Sequence, residues 1–184
     1  MTAGPRLAPI AREQWGDAER AALVLGFPEA ADRFLSTGSD AIAVPNVLTT
    51  LMRHPALAGP FLAFNRVLLQ EPALDPRLRE LIILRVAHRT GSTYEWAQHK
   101  RLATSIGLSR DEIDAIARGG ARGSAGADRR GGGGRSAHDD AGHTWQPLEA
   151  DLLAATDQLV DRYRIDDDTW GRLALHLDDK QLVE

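Results

Sequence analysis

The chain has 184 residues, a formal net charge of −4 and no cysteine, with 43% hydrophobic and 26% charged residues. That length and balance suit a folded domain able to bury a core. The missing thiols exclude disulfides, thiolate metal sites and thiol redox chemistry, and the charge excludes a general attraction for nucleic acid or an anionic membrane. Leu, Ala, Arg, Glu and Asp dominate while aromatics reach only 5%, a balance that favours helix over strand. No apolar run is long enough for a signal peptide or a membrane span, so a cytoplasmic protein is expected.

Two prolines and a glycine in residues 1–11 predict an extended arm. A first helix is expected over residues 12–25, stopped by Gly26 and Pro28. Residues 27–45 are ambiguous, with a short helix possible over 30–35 and a turn at STGSD. Asn46 offers an N-cap for VLTTLMR, and His54-Pro55 punctuates it. Residues 56–70 continue as an apolar helix, with Gly59-Pro60 near its start, where proline is best tolerated. Leu57, Phe61, Phe64 and Leu68 recur there at helical spacing and read as core.

Asp75-Pro76 is a strong helix start. Within that helix Glu80, Ile83, Leu84 and Ala87 follow i, i+3, i+4, i+7, so a carboxylate shares a face with three apolar residues. Arg77, Arg79, Arg85 and Arg89 supply polar positions around it. Burying an unpartnered carboxylate is costly, so Glu80 should pair with an arginine, hold a proton or do chemistry. Gly91 ends the helix and a second one starts at once. There Trp96, Ala103 and Ile106 form an apolar face bordered by Glu95 and His99, which stand i, i+4 to each other. Ser92 and Glu95 have capping-box spacing, which by itself accounts for both without catalysis. Ser109 and Glu112 repeat that spacing and open another short helix.

Residues 119–146 are rich in Gly, Ser, Asp and Arg and read as a flexible loop. His138, Asp139, Asp140 and His143 within it make a weak metal pattern, having no rigid scaffold. From Pro147 an amphipathic helix is expected through Leu152, Leu153, Thr156, Leu159, Val160 and Tyr163. A further helix buries Trp170, Leu173, Ala174 and Leu177, and Asp178-Asp179 begin a third. No strand pattern occurs, so the expected fold is all-α. The expected organisation is an arm and helical core over 1–118, the loop over 119–146, and C-terminal helices over 147–184 packing on the same domain and cut short.

The segments MRHPAL, LDPRLRELIILRVA, TGSTYEWAQH and GLSRDEIDAI, with the stretch from PLEADLL onward, resemble the carboxymuconolactone decarboxylase and alkyl hydroperoxidase D-like family. The resemblance implies an alkyl hydroperoxidase D-like helical bundle and assembly into a homo-oligomer, a trimer or hexamer. The peroxidase branch of the family carries a glutamate, two cysteines three residues apart, and a histidine four residues after the second. Those positions fall on Glu80, Ser92, Glu95 and His99, so the frame is kept and the sulfur is gone. Neither serine nor carboxylate can cycle through a disulfide, which excludes thiol peroxidase chemistry.

What remains resembles the decarboxylase side of the family. The expectation is acid–base chemistry of a decarboxylase, lyase or isomerase type on a small carboxylated lactone or keto acid. Glu80, Glu95 and His99 are the candidate catalytic residues, with Glu80 orienting His99. Ser92, Arg85 and Trp96 are candidates for binding substrate, Arg85 as the partner of a substrate carboxylate. No cofactor is expected. Glu80, Glu95 and His99 as ligands of a divalent cation would make a low ligand count, and no metal is expected. A non-catalytic helical oligomer, or a small-molecule-binding protein, is the alternative.

Overall fold

The computed structural model describes residues 5–39, 41–118 and 143–184, which are all-α, with no strand among them. They fall into two compact units, Met1–Pro72 and Ala73–Glu184.

In the first unit a 3₁₀ turn, Arg12–Gln14, precedes α1 (Asp17–Gly26), followed by α2 (Ala31–Leu35), α3 (Asn46–Leu51) and α4 (Pro55–Gln70). The helix expected over 12–25 is therefore interrupted. Trp15 is buried in the core, and Gly16 is extended and gives its amide to Glu19 Oε2 at 2.9 Å, so α1 starts at Asp17. Asn46 is the first helical residue rather than the cap, and His54 caps α4 by accepting from the Leu57 amide. Pro60 lies inside α4, five residues after its first, with its ring exposed.

Helices α1 and α4 meet through small residues. A Cβ on Gly26 would stand 2.3 Å from Leu62 Cβ, and one on Gly59 would stand 3.1 Å from Leu25 Cδ2. Such close approach admits Ala22, Ala58, Leu62 and the two glycines, and excludes phenylalanine. The α4 residues expected in the core are thus turned outward. Leu57 is 56% exposed, Phe61 47% and Phe64 63%, while Leu68 is only half-buried. The core of this unit is built instead from Trp15, Leu23, Leu48, Met52, Ala58 and Leu62.

The second unit holds α5 (Pro76–Thr90), α6 (Thr93–Ser105), α7 (Arg110–Arg118), α8 (Pro147–Arg162), α9 (Asp167–Leu173) and α10 (Asp179–Val183). Asp75 caps α5 by accepting from the Arg77 amide at 2.8 Å, and Gly91, at φ 68°, closes it. Helix α5 is the hub, packing against α6, α7 and α8. One apolar cluster joins Leu81 and Leu84 to Ala103, Leu108, Ile113, Ile116 and Leu153. A second gathers Leu74, Leu152, Ala155, Leu173 and Leu177, and Leu78 packs against both.

The α5–α8 contact is written in charge. Arg77 pairs with Glu149, Arg85 with Asp157 and Arg89 with Asp161, each pair 72 residues apart. A constant offset with both numbers rising requires the two helices to run parallel and in register. Leu81 and Leu153, buried at the same offset, fill the gap in the ladder. On α9 the buried positions are Thr169 and Leu173, followed by Leu177, whereas Trp170 and Ala174, expected inside, are exposed. Leu159 and Tyr163 are likewise exposed, because the buried face of α8 is Leu152, Leu153, Ala155 and Thr156. No helix of the described residues is long and apolar enough to cross a membrane.

Candidate active site

The turn between α5 and α6 sets the site. Gly91 adopts the left-handed conformation at the end of α5 and donates to the His88 carbonyl at 3.2 Å, while the Ser92 amide donates to the Ala87 carbonyl at 2.9 Å. A glycine meets that backbone requirement without steric cost. The tight turn lays α6 back against α5. Glu80, in the second turn of α5, and His99, in the second turn of α6, then meet.

Glu80 is buried, with 3% of its side chain exposed, and its Oε2 lies 2.8 Å from His99 Nδ1. A carboxylate only accepts, so Nδ1 carries the hydrogen and donates. That bond orients the ring and leaves Nε2 as the free pole. Nε2 stands 3.4 Å from Oε2 of Glu95, whose side chain is 47% exposed. The other Glu80 oxygen is 3.8 Å from Arg79 Nε. The arrangement is a buried carboxylate, an imidazole and a half-exposed carboxylate, with the ring nitrogen that Glu80 does not hold facing the half-exposed one. Chemically it can hold a proton at Nε2, return it, and stabilise the imidazolium in between.

The capping box expected at Ser92 and Glu95 does not form. Ser92 is the N-cap of α6 but its side chain makes no capping hydrogen bond. Its amide is held by Ala87, so Glu95 has no cap donor to reach and turns toward His99 instead. Of the two residues that a capping box explained without function, Glu95 is therefore left to the histidine. By contrast the Ser109–Glu112 box forms in both directions, at 2.8 and 3.2 Å.

Arg85 is not brought to this group. Five residues from Glu80, it lies about 140° around the helix. It is buried, with Nε and Nη2 on the two oxygens of Asp157 at 2.6 and 2.8 Å and Nη1 on the Ile116 carbonyl at 2.6 Å. Its guanidinium fork fits that carboxylate and leaves a substrate carboxylate little to take. Trp96 packs against the cluster around Leu81 and Leu84, with its ring 5.8 Å from that of His88. Ser92 stays half-buried at the turn.

A second polar centre was not anticipated. Arg77, at the start of α5, bonds both Glu112 of α7 and Glu149 of α8, the latter at 2.9 Å. Burial alone would raise the Glu112 carboxyl, but the Arg77 hydrogen bond, the Ser109 amide and hydroxyl and the charge of Arg77 outweigh it, lowering it from 4.5 to about 2. His143 Nε2 lies 3.8 Å from the same carboxylate, and its ring meets Trp145 edge-on at 4.3 Å. The signal in the sequence was the matching spacing of Arg77, Arg85 and Arg89 with Glu149, Asp157 and Asp161.

Among the described residues no group of three His, Asp or Glu side chains could hold a metal ion. Glu80 and Glu95 address opposite nitrogens of the ring, so the three groups do not converge on one point. His138, Asp139 and Asp140 lie outside the described residues.

No curated protein and no solved structure matches the sequence. A family model does match, over residues 55–128, and it is that of the carboxymuconolactone decarboxylase family. The matched span runs from the first residue of α4 past the end of α7 and contains Glu80, Arg85, Ser92, Glu95, Trp96 and His99. The all-α architecture agrees with the alkyl hydroperoxidase D-like fold that the resemblance implies. Over residues 55–128 the chain is thus similar to the carboxymuconolactone decarboxylase family, and it carries no cysteine.

Proposed function

We propose that the protein catalyses proton transfer at a carbon next to a carbonyl group in a small molecule, a decarboxylase- or isomerase-type reaction on a lactone or keto acid. The observation that carries this reading is the 2.8 Å bond from His99 Nδ1 to a buried glutamate, which leaves Nε2 facing the half-exposed Glu95. In the deprotonation direction, the Nε2 lone pair takes the proton as the C–H bond breaks, and the electron pair moves to the carbonyl oxygen as an enolate. The same nitrogen then returns the proton to carbon. After loss of carbon dioxide from a carboxylated substrate, only the second half is needed. Glu80 is a positioning residue, and Glu95 faces the imidazolium that forms. Positioned general acid–base catalysis of this kind is worth roughly 10²–10⁴-fold.

The test is a panel of lactones and keto acids, with and without a carboxylate, followed for carbon dioxide release and for solvent deuterium incorporation. His99→Gln is the control, checked for fold by circular dichroism. Turnover of any substrate that His99→Gln leaves unchanged sinks the proposal.

A second reading, assembly of copies without catalysis, is favoured by the outward stripe of Leu57, Phe61 and Phe64 on α4, spaced i, i+4, i+7 and each about half exposed or more. A continuous apolar stripe on a helix face is a recognised mark of an interaction surface, and the partner it fits is a second copy of this chain. Light scattering after size-exclusion chromatography decides: a monomer at high concentration removes this reading, and dissociation of an oligomer by Phe64→Ser supports it.

A further inference from the structure

Helix α6 presents one face on which Glu95, His99, Leu102 and Ile106 stand at i, i+4, i+7 and i+11. Glu95 is half exposed at one end, and Leu102 and Ile106, 51% and 41% exposed, continue the face beyond the histidine. Along this face His99 thus has a carboxylate one turn before it and hydrocarbon one and two turns after it. Around the ring the charged groups are Glu80, Glu95 and Arg79, two carboxylates against one guanidinium. The guanidinium sits by Glu80, at 3.8 Å, on the Nδ1 side of the ring. Glu95 has Oε2 3.4 Å from His99 Nε2, and Arg85 of α5 is held elsewhere, by Asp157 and Ile116.

We infer that Glu95 is a specificity-determining residue that keeps anionic groups away from His99 Nε2, so that the substrate presents an uncharged carbonyl group there and lays a hydrocarbon part along Leu102 and Ile106. The inference rests on the proton-transfer reading above and narrows it. A carboxylate on the carbon that receives or gives the proton would stand within a few ångströms of Glu95. Two like charges at that separation, in a partly exposed site, repel enough to shift binding by several-fold to about tenfold. Within the proposed chemistry this selects isomerisation beside a neutral carbonyl over release of carbon dioxide from the reacting carbon. Any substrate carboxylate lies at the far end.

Alkylation of His99 by iodoacetamide and by iodoacetate tests this directly. The two reagents are nearly the same size and differ in charge. In each reaction the Nε2 lone pair displaces iodide from the methylene carbon, forming a C–N bond as the C–I bond breaks. Glu80 occupies Nδ1, so the product is the Nε2 derivative, read by peptide mapping and mass spectrometry. The rates are divided by those of N-acetylhistidine with the same reagents at low ionic strength. The expected result is a preference for iodoacetamide of about fivefold or more, compressed by 0.5 M salt and abolished in Glu95→Gln. Equal rates in the wild-type protein, a preference that survives Glu95→Gln, or no alkylation of His99 by either reagent each overturns the inference. Alkylation needs no turnover. A protein inert toward every carbonyl compound would therefore remove the proton-transfer reading while leaving the charge filter measurable.

Discussion

Helix α5 carries charge on two faces and uses it in opposite ways. Toward α8, Arg77, Arg85 and Arg89 each meet a carboxylate 72 residues further on, and Arg77 meets Glu112 of α7 as well. Each of those guanidiniums has a carboxylate partner on α8, and the result is a register lock between parallel helices. Toward α6, Glu80 meets a histidine that has one nitrogen too many for it. The first face satisfies its charges. The second leaves a proton-carrying atom facing a half-exposed carboxylate 3.4 Å away, and a polar group kept oriented without a close hydrogen bond is what acid–base chemistry needs. Burial alone does not separate the two, because Glu80 and Arg85 are equally hidden, at 3% and 4%.

This contrast breaks or sharpens under substitution, and the largest effect belongs to the face with the spare nitrogen. His99→Gln is expected to lower kcat of an identified substrate by about 10³-fold with the fold retained, a loss in the range of positioned proton transfer. Arg85→Met is expected to cost ~3 kcal/mol in urea denaturation, since it leaves the Ile116 carbonyl without its donor and Asp157 with Arg89 alone. The fraction that folds then reports on function: an unchanged KM assigns Arg85 to the scaffold, and a raised KM returns it to the substrate.

Glu112 gives a smaller, pH-dependent effect. Its carboxyl is lowered in the folded protein from 4.5 to about 2, so its contribution is present above 4.5 and is lost as pH falls from there toward 2. With solvent screening discounted, Glu112→Gln is expected to cost about 1–2 kcal/mol at pH 7. The gap between wild type and variant closes toward pH 2, as denaturation midpoints across pH would record. A constant gap would mean that the Arg77 pairing is not what holds the carboxylate. The smallest effects compare two helix caps. Asp75→Ala removes a formed cap and is expected to cost about 1 kcal/mol, whereas Ser92→Ala removes a side chain that caps nothing and is expected to cost under about 0.5 kcal/mol. Equal costs would restore the Ser92–Glu95 box in solution.

Much of the architecture was legible in the residues. Asp75-Pro76 and Gly91 bound α5, the Ser109–Glu112 box opens α7, and the apolar spacing of the region after Pro147 marks α8. The meeting of Glu80 with His99 followed from spacing and resemblance together. The failures share one cause. Periodicity shows which residues lie on one side of a helix, but not which side faces inward. Phe61 and Phe64 had the spacing of core residues, yet the close approach of α1 at Gly26 and Gly59 turned them out. On α9 Thr169 is buried and Trp170, expected inside, is exposed.

By itself the sequence determined that the chain is helical, that it has no thiol to cycle, and that a glutamate and a histidine stand where the redox site of the family it resembles would have them. These are local properties, set by propensity, caps and residue chemistry within a few turns. Only the tertiary structure decided the partner of each charge. Arg85 is drawn to Asp157 because α8 runs parallel to α5, and Glu95 turns to His99 because Ala87 already holds the Ser92 amide. Pairing depends on what the rest of the chain brings within 4 Å of a group, and no spacing along one helix records that.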